Sequence, residues 1–390
     1  MLLTMNENCL YLDYASTTPT DPRVLDAMLP YFGQKFGNPA SRTHDFGVES
    51  KNAVQRARAQ LADLIGAKKD EEIIFTSGAT EAINLAVKGV YENYRHKGNH
   101  IITTIVEHKA VLDTCLYLET QGARVTLLGV NQSGLINLEE LESAITPETV
   151  LISVQYVNNE TGVIQPISEI SAIARQRDIL FMTDATQAVG RIPLNVHKEN
   201  IDLLTFSAHK IYGPNGIGAL YVKSTYPRIK ITTQIHGGGH EFGLRSGTLN
   251  TPGIVGFGEA AALCKESYHS ELAHLFALRN SIEAKLLSLP DCHINGINAP
   301  RAPHIVNFHF DGIDAEALII HLRDNIAISN GSACTSHKVE PSHVIMAMHH
   351  SEDTAYCSLR LSIGRFTPHA ADDTVAKAFE LALTEIANFR

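Results

Sequence analysis

With 390 residues and a hydrophobic content of 44%, the chain is long enough for one large domain and a smaller companion. A net charge of -10, with no cluster of lysine or arginine, excludes a nucleic-acid footprint and a membrane-surface helix. No apolar run is long enough to span a bilayer, and Asn6, Glu7 and Asn8 break the amino-terminal stretch before a signal-peptide core forms, so a soluble cytoplasmic protein is expected.

In chain order, "KNAVQRARAQLADLIGA" comes first, with Val54, Ala57, Leu61, Leu64 and Ile65 at helical spacing. The β-rich runs "EEIIFT", "HIITTIV", "RVTLLGV", "TVLISVQYV", "ILFMTD", "DLLTFS" and "GALYV" then alternate with helical patterns. Such alternation predicts an α/β fold, a mostly parallel sheet flanked by helices. Among the helices, "NLEELESAI" opens with Asn137 and Glu140 spaced as an N-cap box. After about residue 260 the order changes. A helix, "HSELAHLFALRNSIEAKLLSL", precedes the strands "HIVNFHF", "IAIS" and "SLRLSI" and a final helix, "DDTVAKAFELALTEIANF". The expected division is residues 15–260 as a large cofactor-binding domain, with 1–14 and 261–390 as a smaller α+β domain. A cleft between the two is the natural place for a site.

"LLTFSAHKIYGPNGIGALYV" puts Lys210 just past the carboxyl end of a buried run, where open α/β sheets hold their ligands. A buried lysine tends to lose its proton and become a nucleophile. "ILFMTDATQAVG" sets Asp184 at an equivalent strand end. A lysine able to form a Schiff base and an aspartate to pair with a pyridinium nitrogen are what pyridoxal phosphate asks of a protein. "IIFTSGATEAINLAV" offers a phosphate cradle, a strand followed by Thr76, Ser77, Gly78 and a helix from about Ala79 and Thr80. It matches neither the dinucleotide glycine pattern nor the nucleoside-triphosphate loop.

The six cysteines are scattered without a C-x-x-C pair or zinc-type spacing, so reduced thiols and no metal are expected. Cys9, Cys115, Cys264, Cys292 and Cys357 read as small buried hydrophobes. Cys334 differs, because "ISNGSACTSHKVEPSH" is a Ser- and Gly-rich loop in which His337 and Lys338 lie near enough in sequence to favour a thiolate.

"LDYASTTP", "FGNPAS", "TSGATE", "EHKAVLD", "VNNETG", "DATQAVG", "SAHKIYGP", "HGGGHEFGLRSGT" and "GSACTS", in this order, resemble the cysteine desulfurases of the NifS/IscS type, within the class V aminotransferase superfamily. The resemblance runs from about Leu12 to Phe366. It implies the fold type I, aspartate aminotransferase-like architecture and the cofactor pyridoxal 5'-phosphate. By resemblance, Lys210 carries the cofactor as a Schiff base, Asp184 pairs with the pyridine nitrogen, Gln187 contacts the ring hydroxyl and His108 stacks on the ring. The phosphate falls to Ala79, Thr80, Ser207, His209 and, from the second subunit of a homodimer, Thr248. Arg360 becomes the substrate carboxylate clamp, with Asn159 near cofactor and substrate and Asn38 at the entrance. An arginine suits a carboxylate by its two-pronged shape, and Arg360 shares a strand face with Ser362.

The implied reaction converts L-cysteine to L-alanine. Lys210 moves the α-proton, and Cys334 takes the sulfur as a persulfide for an acceptor protein. The length of the segment after "GSACTS" resembles the long-loop subgroup. Phe242 stands where arginine is common in the housekeeping enzymes, and the chain stops at "EIANFR" without the extension that helps those enzymes dock a scaffold. The acceptor therefore stays open among an iron-sulfur scaffold, a tRNA-thiolation system and a DNA phosphorothioate-modification system. Selenocysteine lyase or another class V reaction would use the same Lys210 and Asp184. A thiol hydrolase is the more distant alternative, suggested by "HGGG" and by Cys334 with His337, but no G-x-S-x-G elbow or papain-like signature accompanies them. A non-catalytic sulfur relay would predict a missing lysine or aspartate, and both are present.

Overall fold

The computed structural model describes residues 9–224, 228–330 and 340–389. After the short β1 (Leu10–Tyr11), helices α1 (Pro22–Met28) and α2 (Pro30–Gly33) lead into α3 (Asp45–Ile65). The His44 side chain accepts from Gly47 N at its start, and Gly66, at φ +72°, ends it in the left-handed conformation that glycine adopts without cost. Val54, Ala57, Leu61 and Ile65 are buried along one face, as their spacing predicts.

All seven β-rich runs become strands of one sheet: β2 (Ile73–Thr76), β3 (His100–Thr104), β4 (Arg124–Leu128), β5 (Thr149–Ser153), β6 (Leu180–Asp184), β7 (Leu203–Ser207) and β8 (Gly218–Val222). Their order is β2-β8-β7-β6-β5-β3-β4, with β8 antiparallel to both neighbours and every other pair parallel. Helices cover both faces, so the inner strands are buried along nearly their whole length and lack a regular polar alternation. Ile73 and Phe75 face one layer with Leu204 and Phe206, whereas Ile74, Leu203 and Leu220 face the other. The flanking helices are α4 (Ala79–Tyr94), α5 (Lys109–Thr120), α6 (Leu138–Ala144) and α7 (Ile167–Gln176). Asn137 caps α6 as expected, its Oδ1 accepting from the Glu139 and Glu140 amides.

The helix expected from His269 begins at Thr251 instead and continues as α8 (Thr251–Leu287), 37 residues long, across the expected boundary near 260. Its first half packs Ile254 and Phe257 into the core beneath the large sheet. Its second half packs Leu275, Leu278, Ile282 and Leu286 into a separate core. That second core holds a three-stranded antiparallel sheet, ordered β12-β10-β9, of β9 (Cys292–Ile294), β10 (Ile305–Phe310) and β12 (Ser358–Ser362). Around it lie α9 (Ala315–Leu322), β11 (Ile326–Ala327), α11 (Glu352–Cys357) and α12 (Ala371–Phe389), whereas α10 (His343–His349) packs Val344, Ile345 and Met348 with Val106 in a smaller cluster. The run "IAIS" shortens to β11, paired with β1, and β9 is too short to have been anticipated. Cys115, Cys264, Cys292 and Cys357 are buried as expected, but Cys9 is only half-buried, because it lies on the amino-terminal strand segment with its Sγ toward the Arg323 carbonyl.

Candidate active site

Parallel strands β6 and β7 pair Asp184 with Thr205, so both chains leave the sheet along one edge. Asp184 is the last residue of β6, and Lys210 closes the single 3-10 turn Ala208–Lys210 after β7. The sheet alone thus brings these two residues to neighbouring strand ends. Asp184 accepts from Thr186 N at 3.0 Å, Thr186 Oγ1 at 2.5 Å and Thr205 Oγ1 at 3.3 Å, all at Oδ1. The Lys210 ammonium donates to the carbonyls of Ala15 and, at 2.7 Å, Ser16. Burial, followed by the nearby Arg360 charge, pushes the Lys210 amine down to about 7.

The Ala15 carbonyl also accepts from Gln187 Nε2 at 2.8 Å, while Gln187 Oε1 bonds His304 Nε2 at 3.1 Å. From the opposite side, Arg360 on β12 donates Nη1 to the Asn159 carbonyl at 2.9 Å. Its Nη2 donates to Asp13 Oδ1 at 2.9 Å and Ser16 Oγ at 2.7 Å. Arg360 Nε is buried with no partner among the described residues. Ser362, two residues along the strand, accepts from Ala15 N at 2.8 Å, so the face shared by Arg360 and Ser362 grips residues 13–16. This segment therefore joins Lys210, Gln187 and Arg360.

Gly78 begins α4 without a side-chain cap, leaving the Ala79 and Thr80 end of the helix with free amides. Across the sheet, Gly218 pairs with both Thr76 and Ser207, and a Cβ on Gly218 would fall 2.6 Å from Gly78 Cα. Only glycine allows that approach, which sets Ser207 beside the cradle. Glu81 accepts from Ser77 N at 2.8 Å and pairs with Arg245, and a cavity of about 380 Å³ opens here between Ser77, Thr80, Lys88 and Gln234. His209 bonds Thr17 Oγ1 through Nδ1 at 3.1 Å, and burial pushes it down to about 4.

His108 is exposed at the start of α5 and accepts from Ala110 N at 3.1 Å. Asn38 is exposed, its Oδ1 turned to the Ala40 amide. Thr248 is exposed on the loop before α8. Upstream on that loop, the buried Glu241 pairs with Arg58 at 2.7 Å, and the Phe242 ring lies over the same guanidinium at 5.2 Å. Cys334, His337 and Lys338 lie outside the described residues. Asp13, Ala15 and Ser16 lie in the motif "LDYASTTP" but received no role from the sequence, and His304 was not singled out, since their partners lie 117 to 347 positions away.

Residues 10–372 match the aminotransferase class-V family. The chain belongs to the class V aminotransferase family. The cofactor of this family is pyridoxal phosphate, and the family's fold is the helix-flanked, mostly parallel sheet described above. Among curated relatives, the cysteine desulfurase IscS of Neisseria meningitidis serogroup C (strain 053442) is 49% identical over 381 residues, covering 98% of this chain and 93% of its own. A solved NifS-like protein superposes with a TM-score of 0.89 at 35% identity, covering 98% of this chain and all of that one. A second structure, SspA in complex with cysteine, gives 0.82 at 38% identity over 92% of this chain and 100% of that one. Among the described residues, no helix of this class V chain is long and apolar enough to cross a membrane.

Proposed function

We propose that the chain is a pyridoxal phosphate-dependent cysteine desulfurase, which converts L-cysteine to L-alanine and passes the sulfur to an acceptor protein. The observation that carries this reading is the Asp184 carboxylate on the strand end next to a lysine whose amine titrates near 7. The donor set suits the cofactor. Among the described residues Asp184 uses only Oδ1 for protein bonds, which leaves Oδ2 for a pyridinium N–H. The uncapped amides at Ala79 and Thr80, with Ser207 beside them across Gly218 and with His209 two residues further on, suit a phosphate in this reading. Gln187 takes the ring hydroxyl and His108 the ring face in this reading.

When bound, the cofactor acts as an electron sink that acidifies the substrate Cα–H and weakens the Cβ–S bond. The residues of the chain do the remainder. Arg360 holds the substrate carboxylate through its fork, with Asn159 beside it and Asn38 at the entrance. An amine near 7 is neutral often enough to take the α-proton and protonated often enough to return it, which suits Lys210 to both roles. The Cys334 thiolate attacks the substrate sulfur: the S–S bond forms as the C–S bond breaks, the electron pair stays with carbon, and a proton completes alanine.

The division into residues 15–260 and the remainder belongs to the same proposal, as do cytoplasmic residence and a homodimer. A second copy would cover the exposed Phe32, Phe36, Phe46 and Phe242 and would bring in its own Thr248. The acceptor is an iron-sulfur scaffold, a tRNA-thiolation protein or a DNA phosphorothioate-modification protein. Mass spectrometry of the non-reduced Cys334 peptide after mixing with L-cysteine tests the reading. One extra sulfur on Cys334 with alanine released supports it, and an unmodified Cys334 with no alanine refutes it.

A further inference from the structure

On the small sheet, at the end of β10 beyond the Asn307–Arg360 pair, three ligating side chains converge. His293 and His309 stand directly opposite each other on the antiparallel pair β9 and β10. Asp311 follows His309 by two positions, in the turn that leaves β10. His293 Nε2 lies 3.2 Å from Asp311 Oδ2, and His309 Nε2 lies 3.7 Å from Asp311 Oδ1. All three ligating atoms fall within 4.8 Å of one another. Zinc bonds of about 2.0–2.1 Å at tetrahedral angles hold neighbouring ligand atoms about 3.3 Å apart, so two of these separations are close to those of a bound ion. The exposed side chains of His293 and Asp311 can turn to close the widest gap.

The buried member of the set is oriented from behind. Asn295 Nδ2 donates to Asn307 Oδ1 at 2.7 Å and to Ser358 Oγ at 3.2 Å, which fixes its Oδ1 as the acceptor facing His309 Nδ1 at 3.1 Å. The proton therefore sits on Nδ1, and the Nε2 lone pair points toward Asp311. A ligating histidine tied through its second nitrogen to an oxygen is the usual support of metal sites.

We propose that His293, His309 and Asp311 form a binding site for one divalent cation of the zinc class, with water completing the coordination. Two imidazoles and a carboxylate suit zinc, cobalt or nickel better than calcium or magnesium, whose ligands are oxygens. Bound there, the ion would join the edge strand β9 to β10.

The test titrates the holoenzyme with cobalt(II), whose visible bands report ligand type, beside His293→Ala and Asp311→Asn, both exposed positions where folding should persist. The cofactor's yellow colour serves as the check on folding. The expected result is one ion per chain with nitrogen and oxygen ligation, and at least about tenfold weaker binding in each variant. Absence of saturable binding overturns the site. So does a sulfur-to-metal charge-transfer band, which would assign the ion to a thiol, or affinity unchanged in both variants.

Discussion

Lys210 has the titration most open to measurement. Its folded value, about 7, lies below the ordinary lysine value of 10.5. The buried charge is thus a penalty on the cofactor-free protein, full below about pH 7 and relieved as pH rises toward 10.5, so this group's effect on stability improves across that window. The neutral amine is also the form that attacks an aldehyde. Cofactor loading, followed by the yellow colour, should accelerate through about pH 7 and be absent in Lys210→Ala; acceleration that continues to pH 10 would contradict the depressed value. Arg360→Lys should keep the colour but lose the fork, costing about 1.5–2.7 kcal/mol of carboxylate binding, roughly a 10- to 100-fold rise in KM for cysteine in steady-state assays. The strand-end positions of Lys210 and Asp184 were legible because each follows a clear apolar run, whereas Arg360 was singled out by the family resemblance. The contacts of Asp13, Ser16 and His304 were not legible, although "LDYASTTP" contains the first two, since they arise only when chain segments far apart in sequence meet.

The strands of the large sheet were legible because burial on both faces leaves runs of Ile, Leu, Val and Phe with no competing helical period. Strands of two or three residues, such as β1, β9 and β11, are too short to show any period. The first half of α8 was hidden for another reason. Gly253, Gly256 and Gly258 weaken its helical signal. Packing requires Gly258, where a Cβ would sit 2.5 Å from Ala57 Cα on α3, and crowds Gly256, where one would sit 2.5 Å from Met28 Sδ. Close approach of α3 and α8 overrides propensity. Gly258→Ala should therefore destabilise the protein by about 1–3 kcal/mol in thermal or chemical unfolding, although alanine is the better helix former. A stabilised variant would show that the two helices can separate freely.

At the scale of the whole molecule, α8 ties the two cores together, and Glu271 near its middle pairs with Arg191 after β6 and Arg365 after β12. The boundary near 260 was placed by the change in pattern from alternating strands and helices to a leading helix. The sequence contained no signal that one unbroken helix would cross it. Such a helix transmits angle as well as distance. One residue inserted near Glu266 would turn everything downstream by about 100° and point Leu275, Leu278, Ile282 and Leu286 away from their core. Seven inserted residues would restore the rotation to within about 20° while displacing the second half by about 10 Å. Hydrogen exchange should then show the single insertion unprotecting β10 and β12 outright and the sevenfold one preserving their protection while weakening cofactor retention. The helix fixes the phase between Lys210 on one side and Arg360 on the other, and a deletion or insertion within it is a rotation of the active site before it is a change in its width.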